Sequence, residues 1–202
     1  MLPVAVRLPR MTGSVGEYFA DVTALEAAGA DTIWVDDVAL DPWITLGAIA
    51  ALTHRARLGC LLASMGRWPA SRLGPCASTL SELSRGRLVV GLPAGGRLRN
   101  QVSTLRAAGA TIFTAGAQDL SADGVILEVE SADQLSGSQG TGKEVWAAIA
   151  IPPDRQAWTG AISAYAAAGA TGILVAWDPR LIDLLRGAGE PDDRTDLLIA
   201  TG

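Results

Sequence analysis

Helical patterns and apolar strands alternate along this chain, and that alternation limits the folds open to it. Residues Ala24–Val35 show it most clearly, with an alanine-rich helix end, a glycine turn and an apolar strand in direct succession. Apolar segments recur at Arg57–Ala63 and Arg87–Leu92, with helical patterns between them. Such alternation is typical of a parallel sheet with helices outside it, in which ligands bind where the strands end. The sequence therefore predicts an α/β fold.

The chain contains eight candidate strands and six candidate helices. The strands are Pro3–Leu8, Asp31–Val35, Arg57–Ala63, Arg87–Leu92, Ala110–Thr114, Gly124–Val129, Glu144–Ile151 and Gly172–Trp177. The helices are Ser14–Ala28, Pro42–His54, Ala70–Ser84, Arg97–Ala108, Pro153–Ala168 and Pro179–Arg186. Three helices have an Asp-Pro or Pro-Asp pair at their start, and three end at the tetrapeptide Ala-Ala-Gly-Ala, with glycines at Gly29, Gly109 and Gly169. Proline suits a first helical turn, and glycine adopts the left-handed conformation that ends many helices.

The number of strands suggests a closed barrel, although the chain is short for one. Eight strands fit a (β/α)8 TIM barrel, which typically has about 250 residues, and this chain has 202. The shortfall lies in the second half, because there is hardly room for a crossover helix between Thr114 and Gly124. We predict a single domain over residues 1–202, a (β/α)8 TIM barrel trimmed in its second half. An open doubly wound sheet is the other architecture.

Composition narrows the possible partners and the cellular compartment. The net charge of −5 argues against nucleic acid and against an anionic membrane surface, because both attract basic faces. No apolar run is long enough for a membrane span, and the start has no signal-peptide pattern. Two cysteines and one histidine do not make the usual zinc site. We expect a cytoplasmic globular protein with reduced thiols and no bound metal.

Two features of the sequence are typical of nucleotide binding and of catalysis, but their positions in the chain do not suit these functions. The segment Gly137–Lys143 matches the phosphate-binding pattern GxxxxGK, but an apolar strand follows it and Glu144 replaces the hydroxyl residue that would hold magnesium. We therefore expect no nucleotide binding there. The single histidine, His54, lies at the end of a predicted helix, on the side of a barrel opposite to catalysis. It therefore makes a Ser-His-Asp arrangement implausible.

Two adjacent carboxylates, Asp36 and Asp37, follow the second predicted strand. Their place at a strand end would let either bind a cofactor or a substrate hydroxyl. A purely structural role, as a loop turn or a helix cap, explains them equally well. The sequence leaves these two interpretations open.

Four segments in the first half resemble the bacterial luciferase-like family. They are Leu25–Asp37, Asp41–Trp43, Arg57–Gly59 and Thr79–Gly91. A weaker resemblance covers Ile112–Gly116 and Ala122–Leu127, and the last two helix–strand units follow the family's order. The family comprises flavin-dependent monooxygenases and deazaflavin-dependent reductases on a TIM barrel.

The resemblance implies a function, a cofactor and a set of positions. It implies an oxidoreductase that uses reduced flavin (FMN) or 8-hydroxy-5-deazaflavin for hydride or oxygen chemistry on a small organic substrate. The cofactor-binding positions that it implies are Asp37, Cys60, Leu61, Leu62, Ala94, Gly95, Gly116 and Ala117. Of these, Asp37 would contact the ring or its substrate, the residues from Cys60 to Leu62 would form an unusual peptide geometry behind the ring, and the backbone at Gly116 and Ala117 would bind an anion. No catalytic residue can be named.

Two departures from the family leave a rival interpretation open. The family commonly has Asp-His after its second strand, whereas this chain has Asp37-Val38, and the segments that help form the family's pocket are short here. A non-catalytic, trimmed paralogue that keeps the fold and the dimer surface is therefore the alternative, and an unrelated open-sheet binding protein is a weaker one. The resemblance also implies a homodimer built on the first three predicted helices.

Overall fold

Eight short strands pair in chain order and close on themselves. The computed structural model describes residues 2–38, 40–93, 99–116, 122–135 and 142–186. The strands are β1 Val4–Arg7, β2 Thr32–Asp36, β3 Arg57–Leu61, β4 Leu88–Leu92, β5 Thr111–Ala115, β6 Gly124–Glu128, β7 Glu144–Ile149 and β8 Gly172–Ala176. All of them are parallel to their neighbours, and pairing of β1 with β8, such as Val6 with Val175, closes the barrel. The predicted α/β barrel is confirmed.

The helices pack outside the barrel and begin where the local signals place them. They are α1 Val15–Ala28, α2 Pro42–Leu52, α3 Ala70–Leu83, α4 Arg99–Ala107, α5 Arg155–Ala167 and α6 Leu181–Arg186. At the start of α2, the Asp41 carboxylate accepts a hydrogen bond from the Trp43 N–H at 3.0 Å. At the end of α1, Gly29 adopts φ 101°, as expected of a left-handed cap. None of the described helices is long and apolar enough to cross a membrane.

The second half of the barrel is trimmed as predicted. Six α-helices accompany the eight strands in the part of the chain that the structure describes. Only residues 116–123 connect β5 to β6, yet Phe113 pairs with Gly124 in a parallel register. Between β6 and β7 the described residues hold a single short 3-10 turn, Ala132–Leu135. Within the residues that the structure describes, neighbouring parallel strands therefore pair here without a crossover helix of the usual length.

The strands separate two apolar layers. Their outward side chains pack against the helices in the larger layer. Their inward side chains form a second cluster, which fills the barrel with Ala5, Trp34, Val89, Phe113, Ile126, Trp146 and Leu174. The rings of Trp34 and Trp146 each meet the ring of Phe113 edge to face, with ring centroids 6.2 Å apart. The interior is thus a packed core without an open channel.

Each interior aromatic ring lies over a glycine on the next strand. The strand registers pair Trp34 with Gly59, and Trp146 with Gly172. A Cβ atom added at Gly59 would overlap the Trp34 indole, and one added at Gly172 would lie 2.6 Å from the Trp146 indole. Phe113 and its partner on β6 repeat the arrangement. Three glycines therefore supply the space that three large rings occupy.

An ion pair closes the end of the barrel at which the strands begin. The Arg57 guanidinium donates to the Glu144 carboxylate at 3.0 Å and lies over the Phe113 ring, 5.7 Å from its centroid. The same carboxylate accepts the indole N–H of Trp146 at 2.8 Å. These contacts attach the charged pair to the aromatic layer above it.

We expect Gly59→Ala to destabilise the protein by about 1–3 kcal/mol, because the added methyl group overlaps the Trp34 ring in a filled core. The matched control is Gly47→Ala in α2, where an added Cβ meets no atom within 4 Å. Alanine favours a helix interior over glycine, so we expect this control to stabilise the protein by about 0.5–1 kcal/mol. Urea unfolding curves measure both changes, and equal effects would contradict the proposed packing.

Candidate functional site

The inner face of the strand ends forms a shallow mouth above the aromatic core. Side chains alternate along a strand, so the residue two positions beyond each interior residue faces the opening. We call these positions the mouth residues. They are Arg7, Asp36, Leu61, Gly91, Ala115, Glu128, Ala148 and Ala176. Four of them are glycine or alanine, and Leu61 and Ala148 also contact the interior cluster. The mouth is therefore lined mainly by small and apolar groups, with charges confined to three strands.

An ion pair bridges β1 and β2 at the rim of the mouth. The Arg7 guanidinium donates to both carboxylate oxygens of Asp36, with its Nη2 2.8 Å from Oδ2 and its Nε 3.1 Å from Oδ1. The two side chains are 46% and 24% exposed. Burial, followed by the charge of Asp36, raises the pKa of the nearby Tyr18 to about 12. Its hydroxyl therefore stays protonated at neutral pH and remains a hydrogen-bond donor.

The neighbouring carboxylate, Asp37, faces away from the mouth. Its side chain is 1% exposed, and its oxygens accept hydrogen bonds from the Ala63 N–H at 2.8 Å and the Trp68 indole N–H at 2.9 Å. Its backbone carbonyl accepts a further bond from Arg67. Asp37 thus ties the loop after β2 to the loop after β3. The carboxylate at the rim of the mouth is that of Asp36, because adjacent residues of a strand end point to opposite faces.

The three predicted cofactor-binding residues at the end of β3, Cys60 to Leu62, also point to opposite faces of the strand. Leu61 faces the mouth and is partly exposed, whereas the side chains of Cys60 and Leu62 are buried between the sheet and the helices. Those two side chains are thus on the wrong face of β3 for contact with a ring at the mouth. Burial, followed by the charge of Asp37, raises the pKa of the Cys60 thiol well above its usual value. No cis peptide bond occurs in the described residues.

The predicted anion site on β5 is only partly described. Gly116 has a left-handed backbone, φ 86°, but its N–H donates to the Ile126 carbonyl at 2.8 Å. That N–H is therefore not available to an anion, which corrects the expectation for Gly116. Ala94, Gly95 and Ala117 lie outside the described residues, as do residues 137–141 of the GxxxxGK segment.

The single histidine lies at the far end of the molecule from the mouth, as expected. The His54 N–H donates to the Glu26 carboxylate at 2.9 Å, and the N–H groups of Arg55 and Ala56 donate to the same carboxylate. Burial alone would raise the pKa of Glu26, but these three backbone bonds, together with the charge of Arg87, hold the pKa below its usual value. The Glu26 carboxylate thus attaches the segment after α2 to α1. No group of three or more potential metal ligands occurs in the part of the chain that the structure describes.

Comparison with known families shows to which family the chain belongs. The family model for luciferase-like monooxygenases matches residues 2–104, which is 103 of the 202 residues. The chain belongs to the luciferase-like monooxygenase family. No curated protein matches the sequence.

Solved structures agree with this luciferase-like fold at low sequence identity. An F420-dependent secondary alcohol dehydrogenase bound to an F420-acetone adduct is 12% identical, with a TM-score of 0.69 over 92% of this chain and 97% of that one. The F420-dependent tetrahydromethanopterin reductase of Methanopyrus kandleri is 10% identical, with a TM-score of 0.68 over 94% and 97%. Phosphoribosyl anthranilate isomerase of Thermus thermophilus is 16% identical, with a TM-score of 0.61 over 92% and 95%. Redox and non-redox enzymes thus share the fold.

The luciferase-like chain uses its two adjacent aspartates differently, and substitution separates their roles. We expect Asp37→Asn to lower the free energy of unfolding by about 1–3 kcal/mol. The NH2 group of the new side chain would face the N–H of Trp68 or Ala63, so two donors would meet and one hydrogen bond would be lost. Asp36→Asn is the matched control, and loss of its partly exposed ion pair costs about 0–1 kcal/mol. Thermal and urea unfolding of both variants test this difference. A larger loss for Asp36→Asn would contradict it.

Proposed function

We propose that this luciferase-like protein is an oxidoreductase that binds reduced FMN or 8-hydroxy-5-deazaflavin at the barrel mouth. The cofactor would supply hydride or oxygen chemistry for a small organic substrate. The observation that supports this proposal is the composition of the mouth. Ala115, Ala148 and Ala176 face the opening from three strands, while Leu61 forms part of an apolar floor. A flat, largely apolar ring fits such a surface.

The aromatic core below the mouth and the polar rim around it determine what the protein itself would contribute to cofactor binding. Trp34, Phe113 and Trp146 fill the interior, so a ring would lie above them and not within the barrel. Leu61 would support its apolar face and keep water from it. The Arg7 guanidinium offers N–H donors at the rim, and its pairing with Asp36 fixes its position. These residues bind, orient and exclude water, and the reaction chemistry belongs to the cofactor.

The structural neighbours favour a ring of this kind. Two of them carry the deazaflavin coenzyme F420 in their descriptions, one as an adduct with acetone and one as the coenzyme of a reductase. At 10–12% identity they share the fold with this chain. Their contribution is to make a deazaflavin as reasonable a candidate as FMN.

Occlusion of the mouth tests the proposed position of the ring. We expect Ala148→Phe to weaken FMN or deazaflavin binding at least tenfold, because the new side chain would occupy the space above the aromatic layer. Fluorescence titration of the protein with each cofactor, oxidised and reduced, measures the affinity. The control is Ala166→Phe on the exposed face of α5, which should leave the affinity unchanged. If a folded Ala148→Phe protein binds the cofactor normally, the ring does not lie at the mouth.

A specific observation also favours the rival, a non-catalytic paralogue. Where the family commonly has a histidine, Val38 is 64% exposed, and the neighbouring Asp37 has its carboxylate engaged within the protein. Neither residue presents a free polar group to the mouth. The same titration separates the two candidates, because a paralogue without turnover and without a ring site would bind neither cofactor.

We propose a homodimer that covers the outer face of α2. This helix has no charged residue, and its exposed positions Ile44, Ala48, Ala51 and Leu52 are all apolar. Their spacing places them in one stripe. Ile44 is 76% exposed, and Leu83 of the adjacent α3 is 59% exposed. Apolar stripes of this kind are usually buried by association, and a second copy supplies a matching surface.

We expect Ile44→Glu to convert the dimer into a monomer, because it places a charge within the apolar stripe. Light scattering at micromolar concentration measures the mass. Ala166→Glu on α5 is the control, since it adds the same charge to a different exposed helix face. A wild-type protein that is monomeric under these conditions would contradict the proposal.

A further inference from the structure

A separate cleft lies beside the mouth, between the first turns of α1 and α2. Its volume is about 200 Å³, and its walls include Leu8, Val35, Val38 and Leu40. It is smaller than the ~300–1,000 Å³ sites that hold drug-sized ligands. The cleft is therefore suited to a small molecule with an apolar body.

The polar groups of the cleft are mainly hydrogen-bond donors. Tyr18 and Thr45, each the fourth residue of its helix, line it together with Arg10. The Thr45 hydroxyl already donates to the Asp41 carbonyl at 3.1 Å, which leaves it as an acceptor. Neither the Tyr18 hydroxyl nor the Arg10 guanidinium has a hydrogen-bond partner among the described residues. Two donors on different elements are thus available to a ligand.

The charges beside the cleft favour an anion. Asp36 lines it, but both oxygens of that carboxylate are engaged by Arg7. Arg10 adds a second cation, so these three side chains carry a net charge of +1. Asp41 lies at the start of α2, where Arg72 pairs with it at 3.0 Å. An anionic group would therefore meet a free guanidinium rather than a free carboxylate.

We propose that this cleft binds a small organic monocarboxylate. Its carboxylate contacts the Arg10 guanidinium and the Tyr18 hydroxyl, and its hydrocarbon body lies against Val38 and Leu40. Arginine and a neutral hydroxyl are both donors to carboxylate oxygens, and the guanidinium supplies the charge that selects an anion over a neutral isostere.

The position of the cleft also suggests what the ligand is for. Asp36 faces the mouth and lines the cleft, so a molecule bound in the cleft lies next to the proposed ring position. A role for this ligand as the substrate would rest on the proposed function, whereas binding in the cleft does not.

The test uses hexanoate as the probe and hexan-1-ol as its neutral counterpart. Methyl NMR spectra of the full-length protein, recorded during titration, give the affinity and locate the site through the signals of Val38 and Leu40. We expect hexanoate to bind at least tenfold more tightly than hexan-1-ol. Arg10→Gln should weaken hexanoate binding about tenfold without changing hexan-1-ol binding, and Tyr18→Phe should weaken hexanoate binding several-fold.

The control is Arg85→Gln, which changes the charge equally at the opposite end of the barrel, between α3 and β4, and should leave hexanoate binding unchanged. The proposal is overturned if hexan-1-ol binds as tightly as hexanoate, or if a folded Arg10→Gln protein binds hexanoate normally. The cofactor titration tests the proposed redox function independently of the cleft site. Hexanoate binding without ring binding supports the cleft site and contradicts the proposed redox function, and ring binding without hexanoate binding overturns the cleft site alone.

Discussion

Inside the barrel, a large ring on one strand occupies the space left by a glycine on the next, and the remaining structure depends on this packing. Trp34 over Gly59 is one of three such pairs, and the rings contact one another edge to face. Burial of one large apolar side chain contributes roughly 1.5–3 kcal/mol, and an aromatic pair adds about 0.5–1.5 kcal/mol. Because the interior is filled in this way, a ligand has no space inside the barrel, and a cofactor ring at the mouth would lie above the ring layer. The same contacts that stabilise the barrel thus decide where a site can lie.

The two ends of the barrel differ because the ring layer is closed on one side only. At the end where the strands begin, the Arg57–Glu144 pair contacts Phe113 and Trp146 and covers them. At the other end, the next inward residues on β5, β7 and β8 are alanines, which leave the ring layer accessible. Strand direction and side-chain size therefore both favour the end of the barrel at which the strands end as the location of the candidate site.

The positions of the helices and strands were predictable because short-range signals determine them. The carboxylates of Asp41 and Asp154 cap the starts of α2 and α5, and Gly29 ends α1. The faces of the strands were not predictable in this way. A parallel strand such as Leu88–Leu92 is buried on both sides, so its sequence has no alternation that marks the inner face.

A shift of one residue exchanges the two faces of a strand, so the sequence could not say which side chains face the mouth. Asp36 faces the mouth and Asp37 does not, and Leu61 faces the mouth while its two neighbours point to the helices. The pairing of each interior ring with a glycine depends on the register between strands. Residues that are distant in sequence set that register, so no local pattern reveals it.

We attribute the Arg7–Asp36 pair at the rim to the proposed ligand sites, because the pair adds little to stability. A partly exposed ion pair contributes about 0–1 kcal/mol, and an apolar pair at these positions would extend the core at no electrostatic cost. The pair nevertheless occupies the boundary between mouth and cleft, where it holds a guanidinium beside one space and neutralises a carboxylate beside the other. Without Arg7, the Asp36 carboxylate would repel an anion from the cleft. Without Asp36, the Arg7 guanidinium would be free to leave the rim. Each charge would therefore make the other useful to a bound molecule, although a partly exposed pair contributes little to folding.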